Sequence, residues 1–264
     1  MAAPPEGTPC WADAMFTDVE GAKRFYGDVL GWTFAEASAG SGDYTEARAD
    51  GRAVAAVVPP MPGQEGTSQW CLYFAATDAA ATAARIRDHG GELLMEPMRI
   101  GDLGTMCLAR DPGGVVFGLW QAGTHEGFGA VAEPGAYCWA EVFTREPEKS
   151  DAFFPAVFSY RSERLEDGAD FRVYDLGERG VLGRTRMTDD LPPGTPPYIN
   201  VYFTVADCDE AVVRATDRGG VLRFGPTDTP FGRFAAIGDP QGADFSVIDL
   251  TTTTGGTPTT ADVE

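Results

Sequence analysis

The chain has few histidines and few basic side chains. Its 264 residues include two histidines, His89 and His125, and 20 basic residues against 40 acidic ones. The net charge of −20 would repel a phosphate backbone or an anionic bilayer, so nucleic acid is not an expected partner. The acidity favours solubility and, as a sharper alternative, cationic ligands. We expect both histidines to be structural or solvated.

Long apolar runs, cysteine pairs and nucleotide-binding loops are also missing. Nowhere do about 18 uncharged apolar residues follow one another, and residues 1–7 lack the segments of a secretion signal. The five cysteines form no CxxC pair, and Cys10 and Cys138 are interpreted as small buried hydrophobes. We therefore expect no membrane partner, a reducing cytoplasm as the compartment, and no nucleotide or other cofactor.

An internal repeat organises the sequence. The CWAD and CWAE segments that begin at Cys10 and Cys138 lie 128 residues apart, as do the DPGG and DPQG segments at Asp111 and Asp239. This period is far longer than the roughly 20 to 50 residues of a solenoid unit, so each copy should be a domain with its own core. We predict a first module at 1–122, a glycine-rich linker at 123–135, a second module at 136–250 and a disordered tail at 251–264.

Within the first module, helix and strand patterns alternate. One helix is predicted from an Asp18 cap to Gly31 and another from Asp78 through Ile86, ending at Gly90. Strand-type runs lie at 11–16, 44–49, 53–58, 71–75, 106–109 and 115–120. Each module thus has the order strand, helix and several strands twice in succession. This order predicts an α+β fold in which helices cover one side of curled sheets and leave a concave face on the other.

The order of elements and four segment types resemble the vicinal oxygen chelate superfamily of glyoxalases, bleomycin-resistance proteins and dioxygenases. The segments are the TD-led helix starts, RFYGDVLGW, DHGG and DPGG, with AFFPAVFSY, DRGG and DPQGADFSV as counterparts of the last three in the second half. The resemblance covers nearly the whole chain. It implies tandem modules, each of paired βαβββ units that form cup-shaped sheets.

Metal-dependent members of that superfamily place His, Gln or Glu on facing strands, where about three protein ligands hold a divalent ion. The matching positions here are Trp11, Cys71, Gly118 and Ala55 or Ala56 in module one, and Trp139, Asn200, Ser246 and Leu182 or Gly183 in module two. None supplies a carboxylate or an imidazole, so we expect no metal. The resemblance is then to the bleomycin-binding branch and to two-module actinobacterial proteins that include the anthracycline (daunorubicin and doxorubicin) accessory and resistance type.

Strand alternation predicts which side chains line the cups. An inward Trp11 brings Asp13 and Met15 to the same face, because side chains on a strand point alternately to its two faces. The predicted ligand-binding residues are Trp11, Asp13, Met15, Cys71, Tyr73, Met106, Trp120, Trp139, Glu141, Phe143, Asn200, Tyr202, Phe234, Ser246 and Ile248. Flat apolar faces beside acidic groups suit a large aromatic ligand that carries an amine.

Three functional hypotheses remain open. The first is metal-free binding of an aromatic, cationic small molecule, in self-resistance or as an accessory to a biosynthetic enzyme such as an oxygenase. The second is a metal-independent lyase, isomerase or hydroxylase-associated enzyme with Asp13 or Glu141 as general base. The third is a purely structural or interaction protein with flat surfaces and an empty cup, which a packed cup in the structure would favour. As plainer alternatives for single residues, the aromatic residues belong to the core, and Asp13 and Glu141 pair with a basic residue such as Arg48 or Arg172. The chain is expected as a monomer with pseudo-dimeric modules or as a homodimer.

Overall fold

The computed structural model describes residues 4–35, 44–60, 68–164, 170–189, 191 and 194–255. Module one carries β1 (Pro9–Met15), α1 (Val19–Leu30), β2 (Thr33–Phe34), β3 (Thr45–Ala49), β4 (Arg52–Val58), β5 (Trp70–Ala75), α2 (Ala79–Asp88), β6 (Glu92–Ile100), β7 (Gly104–Arg110) and β8 (Val116–Ala122). Module two repeats this order with β9 (Tyr137–Thr144), α3 (Pro147–Phe158), β10 (Arg161–Arg164), β11 (Phe171–Leu176), β12 (Arg179–Arg186), β13 (Tyr198–Thr204), α4 (Cys208–Asp217), β14 (Val221–Thr229), β15 (Gly232–Gly238) and β16 (Asp244–Asp249).

Each module forms one eight-stranded mixed sheet, and neither sheet closes on itself. The strand orders are β2-β3-β4-β1-β5-β8-β7-β6 and β10-β11-β12-β9-β13-β16-β15-β14. The β1–β4, β5–β8, β9–β12 and β13–β16 pairs are parallel, and the outer pairs are antiparallel. Two mixed sheets with few helices confirm the predicted α+β class and the repeat.

The two helices predicted in module one are confirmed, together with their capping residues. The Asp18 carboxylate accepts a hydrogen bond from the Gly21 amide at 2.7 Å, and Gly31 ends α1 in the left-handed region with φ 72°. Asp78 accepts from two amides of the first turn of α2. An acceptor side chain at the start of a helix pairs with an amide that would otherwise lack a partner. A glycine at the end adopts the left-handed conformation easily because it has no Cβ.

Strand prediction missed β2 and β6 in module one. The nine residues of β6 alternate between exposed and half-buried, and they include Pro97 and the charged Glu92, Glu96 and Arg99. Because β6 lies at the end of its sheet, it needs no strongly apolar face. Its composition therefore lacks the period-two signal by which the inner strands were predicted.

The chain divides into two compact units, and each unit combines half of both modules. Unit 1 contains Met1–Trp11, Cys71–Gly127 and Ala140–Asn200. Unit 2 contains Ala12–Trp70, Phe128–Trp139 and Val201–Glu264. In the described part of unit 1, α2 and α3 accompany β5 to β8 and β10 to β12, whereas α1 and α4 accompany β2 to β4 and β13 to β16 in unit 2.

Unit 1 has a phenylalanine core beside α3. Phe74 of β5 lies 5.1 Å from Phe158 and Phe117 of β8 lies 5.6 Å from Phe154, measured between ring centroids. The Ser150 hydroxyl donates to the Asp111 carboxylate at 2.6 Å, and burial raises the pKa of that carboxyl group. The helix of module two thus packs on strands of module one, so neither module supplies this core alone.

Unit 2 has a core of the same kind around Tyr26. The Tyr26 hydroxyl donates to Asp239 at 2.9 Å and accepts from the Trp70 indole at 3.1 Å, and burial raises the tyrosine's pKa. The Trp32 indole donates to the Gly135 carbonyl at 2.6 Å. Part of the predicted linker is therefore hydrogen-bonded to a buried core side chain of this unit.

A buried arginine organises the second-module half of unit 1. Arg184 on β12 is 1% exposed and donates to both carboxylate oxygens of Asp151 on α3, at 2.9 and 2.8 Å. It also donates to the backbone and side chain of Asp170. Asp151 accepts in addition from the Tyr174 hydroxyl at 2.6 Å. Every donor direction of a buried guanidinium needs such an acceptor, because an unpaired buried charge is costly.

Asp170 makes folding stability depend on pH. Hydrogen bonds from Arg186 and Arg184 lower the pKa of Asp170 from 3.8 to about 2. A carboxyl group with a depressed folded pKa stabilises the fold above its unfolded pKa, and this contribution is lost as the pH falls from about 4 toward 2. We expect the melting temperature of the wild type to exceed that of Asp170→Asn at pH 7 and the difference to shrink below pH 4. An equal difference at pH 7 and pH 3 in thermal melts followed by circular dichroism would contradict this assignment.

The C-terminal end of the described chain is hydrogen-bonded. Leu250–Thr252 form a short 3-10 turn, and the Thr253 hydroxyl donates to the Phe231 carbonyl at 3.0 Å. The rest of the predicted tail, 256–264, lies outside the described residues. Within the described ranges, no helix combines the length and apolar character needed to cross a membrane.

Candidate functional site

The rings of Trp11, His125 and Trp120 meet in unit 1, and Tyr73 pairs with Gly118, two residues before Trp120 on β8. We call these four residues the aromatic wall. The His125 ring lies 4.4 Å from Trp11 and 5.5 Å from Trp120, edge to face in both pairs. The Trp120 indole donates to the His125 carbonyl at 2.9 Å. Trp11, Tyr73 and Trp120 were predicted site residues, whereas His125 was assigned to the linker and now proves to join two of them.

Gly118 makes room for this wall. It pairs with Tyr73 across β5 and β8, and a Cβ atom built on Gly118 would overlap the tyrosine ring. Since Phe74 and Phe117 point to the helices, the alternation of the strands places Tyr73 and Trp120 on the helix-free face. Met106 pairs with Trp120 from β7, and both Met106 and Cys71 are half-buried.

A cavity of about 340 Å³ opens beside the wall in unit 1. Its lining includes Trp120, Gln121, Thr77 and Glu126, with Pro4, Pro5, Cys10, Ala75, Ala76 and Ala122 as apolar surface. Trp120 is the predicted site residue among them. Glu126, which sequence reasoning did not single out, is an acidic residue that lines the same cavity as Trp120. A volume of this size falls in the range of about 300 to 1,000 Å³ that is usual for small-molecule sites.

The second-module residues of unit 1 form a separate group. Phe143 stacks on Tyr198 with ring centroids 5.0 Å apart and an angle of 6° between the planes. Glu141 lies over Gly183, because a Cβ atom built on Gly183 would be 2.7 Å from the Cγ atom of Glu141. Asn200 is buried, and Glu141 and Phe143 are half-buried. Arg172, named above as a partner for such carboxylates, forms an ion pair with Asp151 at 3.0 Å.

The remaining predicted residues lie in unit 2. Trp139, Tyr202, Ser246 and Ile248 are buried there, whereas Asp13, Met15 and Phe234 are half-buried. Tyr202 lies 6.0 Å from Phe234, and Phe234 lies 5.7 Å from Phe224, between ring centroids. Arg48, the other arginine considered as a partner, pairs with Glu46 at 2.7 Å. Asp13 belongs to unit 2 and Glu141 to unit 1.

The cysteines are free thiols of low reactivity at the repeated positions. Burial raises the pKa of Cys10, and it raises that of Cys138 to about 12. The Cys10 thiol donates to the Tyr73 carbonyl and the Cys138 thiol to the Tyr202 carbonyl, at 3.4 and 3.5 Å. A thiol that stays protonated is a poor nucleophile, which agrees with their interpretation as buried packing residues.

Comparison with known proteins places the chain in a family. It is 38% identical over 250 residues to CFP32 of Mycobacterium tuberculosis (strain CDC 1551 / Oshkosh), which carries a glyoxylase name, and the match covers 92% of this chain and 95% of the relative. The family model of the Glyoxalase/Bleomycin resistance protein/Dioxygenase superfamily matches residues 11–119. The chain belongs to this superfamily. It is also 35% identical over 259 residues to the anthracycline biosynthesis protein DnrV of Streptomyces peucetius, with 92% and 94% covered.

Solved structures of the superfamily share the fold. The Mn(II)-bound glyoxalase from Novosphingobium aromaticivorans matches with a TM-score of 0.65 at 16% identity, over 96% of this chain and 88% of that one. The 2,3-dioxygenase LapB from Pseudomonas sp. KL28 matches with a TM-score of 0.66 at 16% identity, over 99% and 97%. At these identities the likeness concerns the fold alone.

The residues of this superfamily member do not fit a metal ion. Where metal-dependent members carry ligands, unit 1 has Trp11 in the aromatic wall and Gly118 beneath Tyr73, while unit 2 has Trp139 and Ser246. Across the described part of the chain, no three or more His, Cys, Asp or Glu side chains come together in a group that could hold a metal. Indole and glycine side chains offer no donor atom to a divalent ion, and Cys71 in module one or Asn200 and Ser246 in module two fall short of the about three protein ligands that such an ion needs.

Proposed function

We propose that this protein binds a planar, aromatic, cationic small molecule without forming a covalent bond, one on the helix-free face of each module. Such binding would sequester an anthracycline-like natural product, for self-protection or as an accessory to the enzymes that make it. The observation that carries the proposal is the cavity of unit 1, which Trp120 and Glu126 line together.

The chemistry of this lining matches such a ligand. A cation close to an aromatic face gains about 0.5 to 2 kcal/mol, and a charge-assisted hydrogen bond contributes about 1.5 to 3 kcal/mol. Burial of a ring system adds about 25 cal/mol for each Å² removed from water. The net charge of −20 draws cations toward the protein and keeps anionic aromatic compounds away. Together these gains support binding with a Kd of about 1 µM.

The relatives support the chemical class of ligand. The anthracycline biosynthesis protein DnrV of Streptomyces peucetius and its counterpart DauV of Streptomyces sp. (strain C5) are 35% and 34% identical to this chain, each over 259 residues. A protein that serves an anthracycline pathway has reason to hold a flat ring system that bears an amino sugar. We propose the same binding of a flat, amino-sugar-bearing ring system for this chain because of its aromatic wall.

A calorimetric titration with daunorubicin tests the proposal. In buffer that contains a chelator, the wild type is expected to bind two equivalents with Kd values of about 1 µM. Trp120→Ala removes one stacking face, so one equivalent should be lost; Trp120→Phe keeps a ring and should retain both. Absence of binding to the wild type up to about 100 µM, or unchanged stoichiometry in Trp120→Ala, would contradict the proposal.

A further inference from the structure

Three rings of unit 2 form a row whose exposure increases toward the end of its sheet. Tyr202, Phe234 and Phe224 follow one another at 6.0 and 5.7 Å between centroids, and we call them the ring row. Tyr202 is 7% exposed, Phe234 is half-buried and Phe224 is 57% exposed. A phenylalanine with more than half of its surface in water gains little free energy from burial. Its exposed position therefore indicates a role other than packing in the core.

The strand register places the ring row on one face. Tyr202 pairs with Ser246, Phe234 with Ile248, and Phe224 with Ala236. Partners in neighbouring strands point to the same face of a sheet, and residues two apart on a strand share it as well. The neighbouring residues Phe203 and Phe245 contact each other, as well as Trp32 and Tyr26, in the helix-side core. The ring row therefore lies on the helix-free face, where the ligand of module two is proposed to bind.

The repeat shows that the fold itself does not require an aromatic residue at this position. Met95 pairs with Leu108 in module one as Phe224 pairs with Ala236 in module two. Leu108 and Ala236 lie 128 residues apart in the sequence, and Met95 and Phe224 lie 129 apart. Met95 is half-buried, and its neighbour Glu96 forms an ion pair with Arg87. The exposed ring is thus particular to module two, which points to a role that module one does not share.

We propose that Phe224 is the outer stacking surface of the module-two face and that it selects fused, planar ring systems over single-ring amines; this rests on the proposed function. A single ring can cover one member of the ring row at a time. A fused polycycle is long enough to contact both Phe234 and Phe224, whose ring planes are inclined by 34°, so the second contact adds affinity only for the larger ligand. Aromatic stacking of this kind is directional and favours flat ligands over aliphatic ones of equal area.

Phe224→Ala and the matched control Val213→Ala test this role. Val213 on α4 is also 57% exposed, and it belongs to the same unit. In calorimetry, Phe224→Ala is expected to raise the Kd of one of the two daunorubicin binding events about tenfold, a change of about 1.4 kcal/mol, and to change phenethylamine binding less than about twofold. Val213→Ala should match the wild type, and Phe224→Trp should retain wild-type affinity where Phe224→Leu does not.

Several outcomes would overturn the role of Phe224. If Phe224→Ala binds daunorubicin as tightly as the wild type, or loses both probes equally, Phe224 is not a selective stacking surface, while the proposed function stands. If the wild type sediments as a dimer and Phe224→Ala as a monomer, the exposed ring serves contact with a second copy of the chain. If the wild type binds no daunorubicin, both the proposed function and the role of Phe224 fail.

Discussion

Replacement of Asp151 by alanine is expected to lower the free energy of unfolding by about 3 to 5 kcal/mol. The substitution leaves Arg184, which is 1% exposed, without the two carboxylate oxygens that it contacts at 2.9 and 2.8 Å. It also removes the acceptor of the Tyr174 hydroxyl. Since alanine favours a helix, the loss of stability does not come from α3 itself. It comes from the Arg184 guanidinium and the Tyr174 hydroxyl, which lose their acceptors on Asp151. Urea denaturation followed by circular dichroism measures the change.

Glu148→Ala is the matched control for this prediction. Glu148 lies on the same helix and pairs with Arg186 at 2.5 Å, but 77% of its side chain is exposed. An exposed ion pair contributes little, because water screens both charges. We therefore expect a much smaller loss for Glu148→Ala than for Asp151→Ala. A similar loss in both variants would mean that burial of Arg184 does not determine the contribution of this cluster.

Replacement of Gly118 by alanine is expected to abolish ligand binding at the module-one face and to cost about 1 to 3 kcal/mol of stability. The added methyl group would occupy space that the Tyr73 ring fills, because the two residues pair directly across β5 and β8. The backbone of an inner strand cannot move aside, so the ring must leave its position in the aromatic wall. Calorimetry with daunorubicin should then show one binding event where the wild type shows two.

A double variant separates steric displacement from backbone strain. If the Gly118 methyl group acts by displacing the tyrosine ring, Tyr73→Leu should be destabilising alone but should offset part of the cost of Gly118→Ala when combined with it. The two costs then sum to more than the cost of the double variant, which is the mark of direct coupling. Additive costs would place the defect in the backbone of β8.

Local structure could be predicted where the signal lies within a few residues. Asp18, Asp78 and Gly31 act as caps in the structure as they were expected to, because a cap depends on its immediate neighbours. The pairing of Asp111 with Ser150, or of Tyr26 with Asp239, depends on elements from different modules. No periodicity within one module contains that information, so the division into mixed units could not be predicted.

The candidate site was predicted in part for the same reason. The family resemblance gave Trp11, Cys71 and Gly118 as inward positions, and alternation on β5 and β8 added Tyr73 and Trp120. His125 and Glu126 lie after β8 in a stretch without strand or helix period, and only the folded chain brings them to Trp120. Phe224 was not predicted as a site residue because β14, like β6, lies at the end of its sheet and mixes apolar and polar residues.

Native mass spectrometry of the purified protein mixed with daunorubicin, with metal analysis of the same sample, tests the central claim most directly. We expect intact noncovalent complexes with up to two ligands per chain, unchanged daunorubicin after release, and no stoichiometric metal. No complex at concentrations up to about 100 µM would contradict ligand binding. A converted product would instead support a metal-independent enzyme with Asp13 or Glu141 as its base, and metal at one equivalent per chain would contradict the reading of Trp11 and Gly118 as positions that hold no ion.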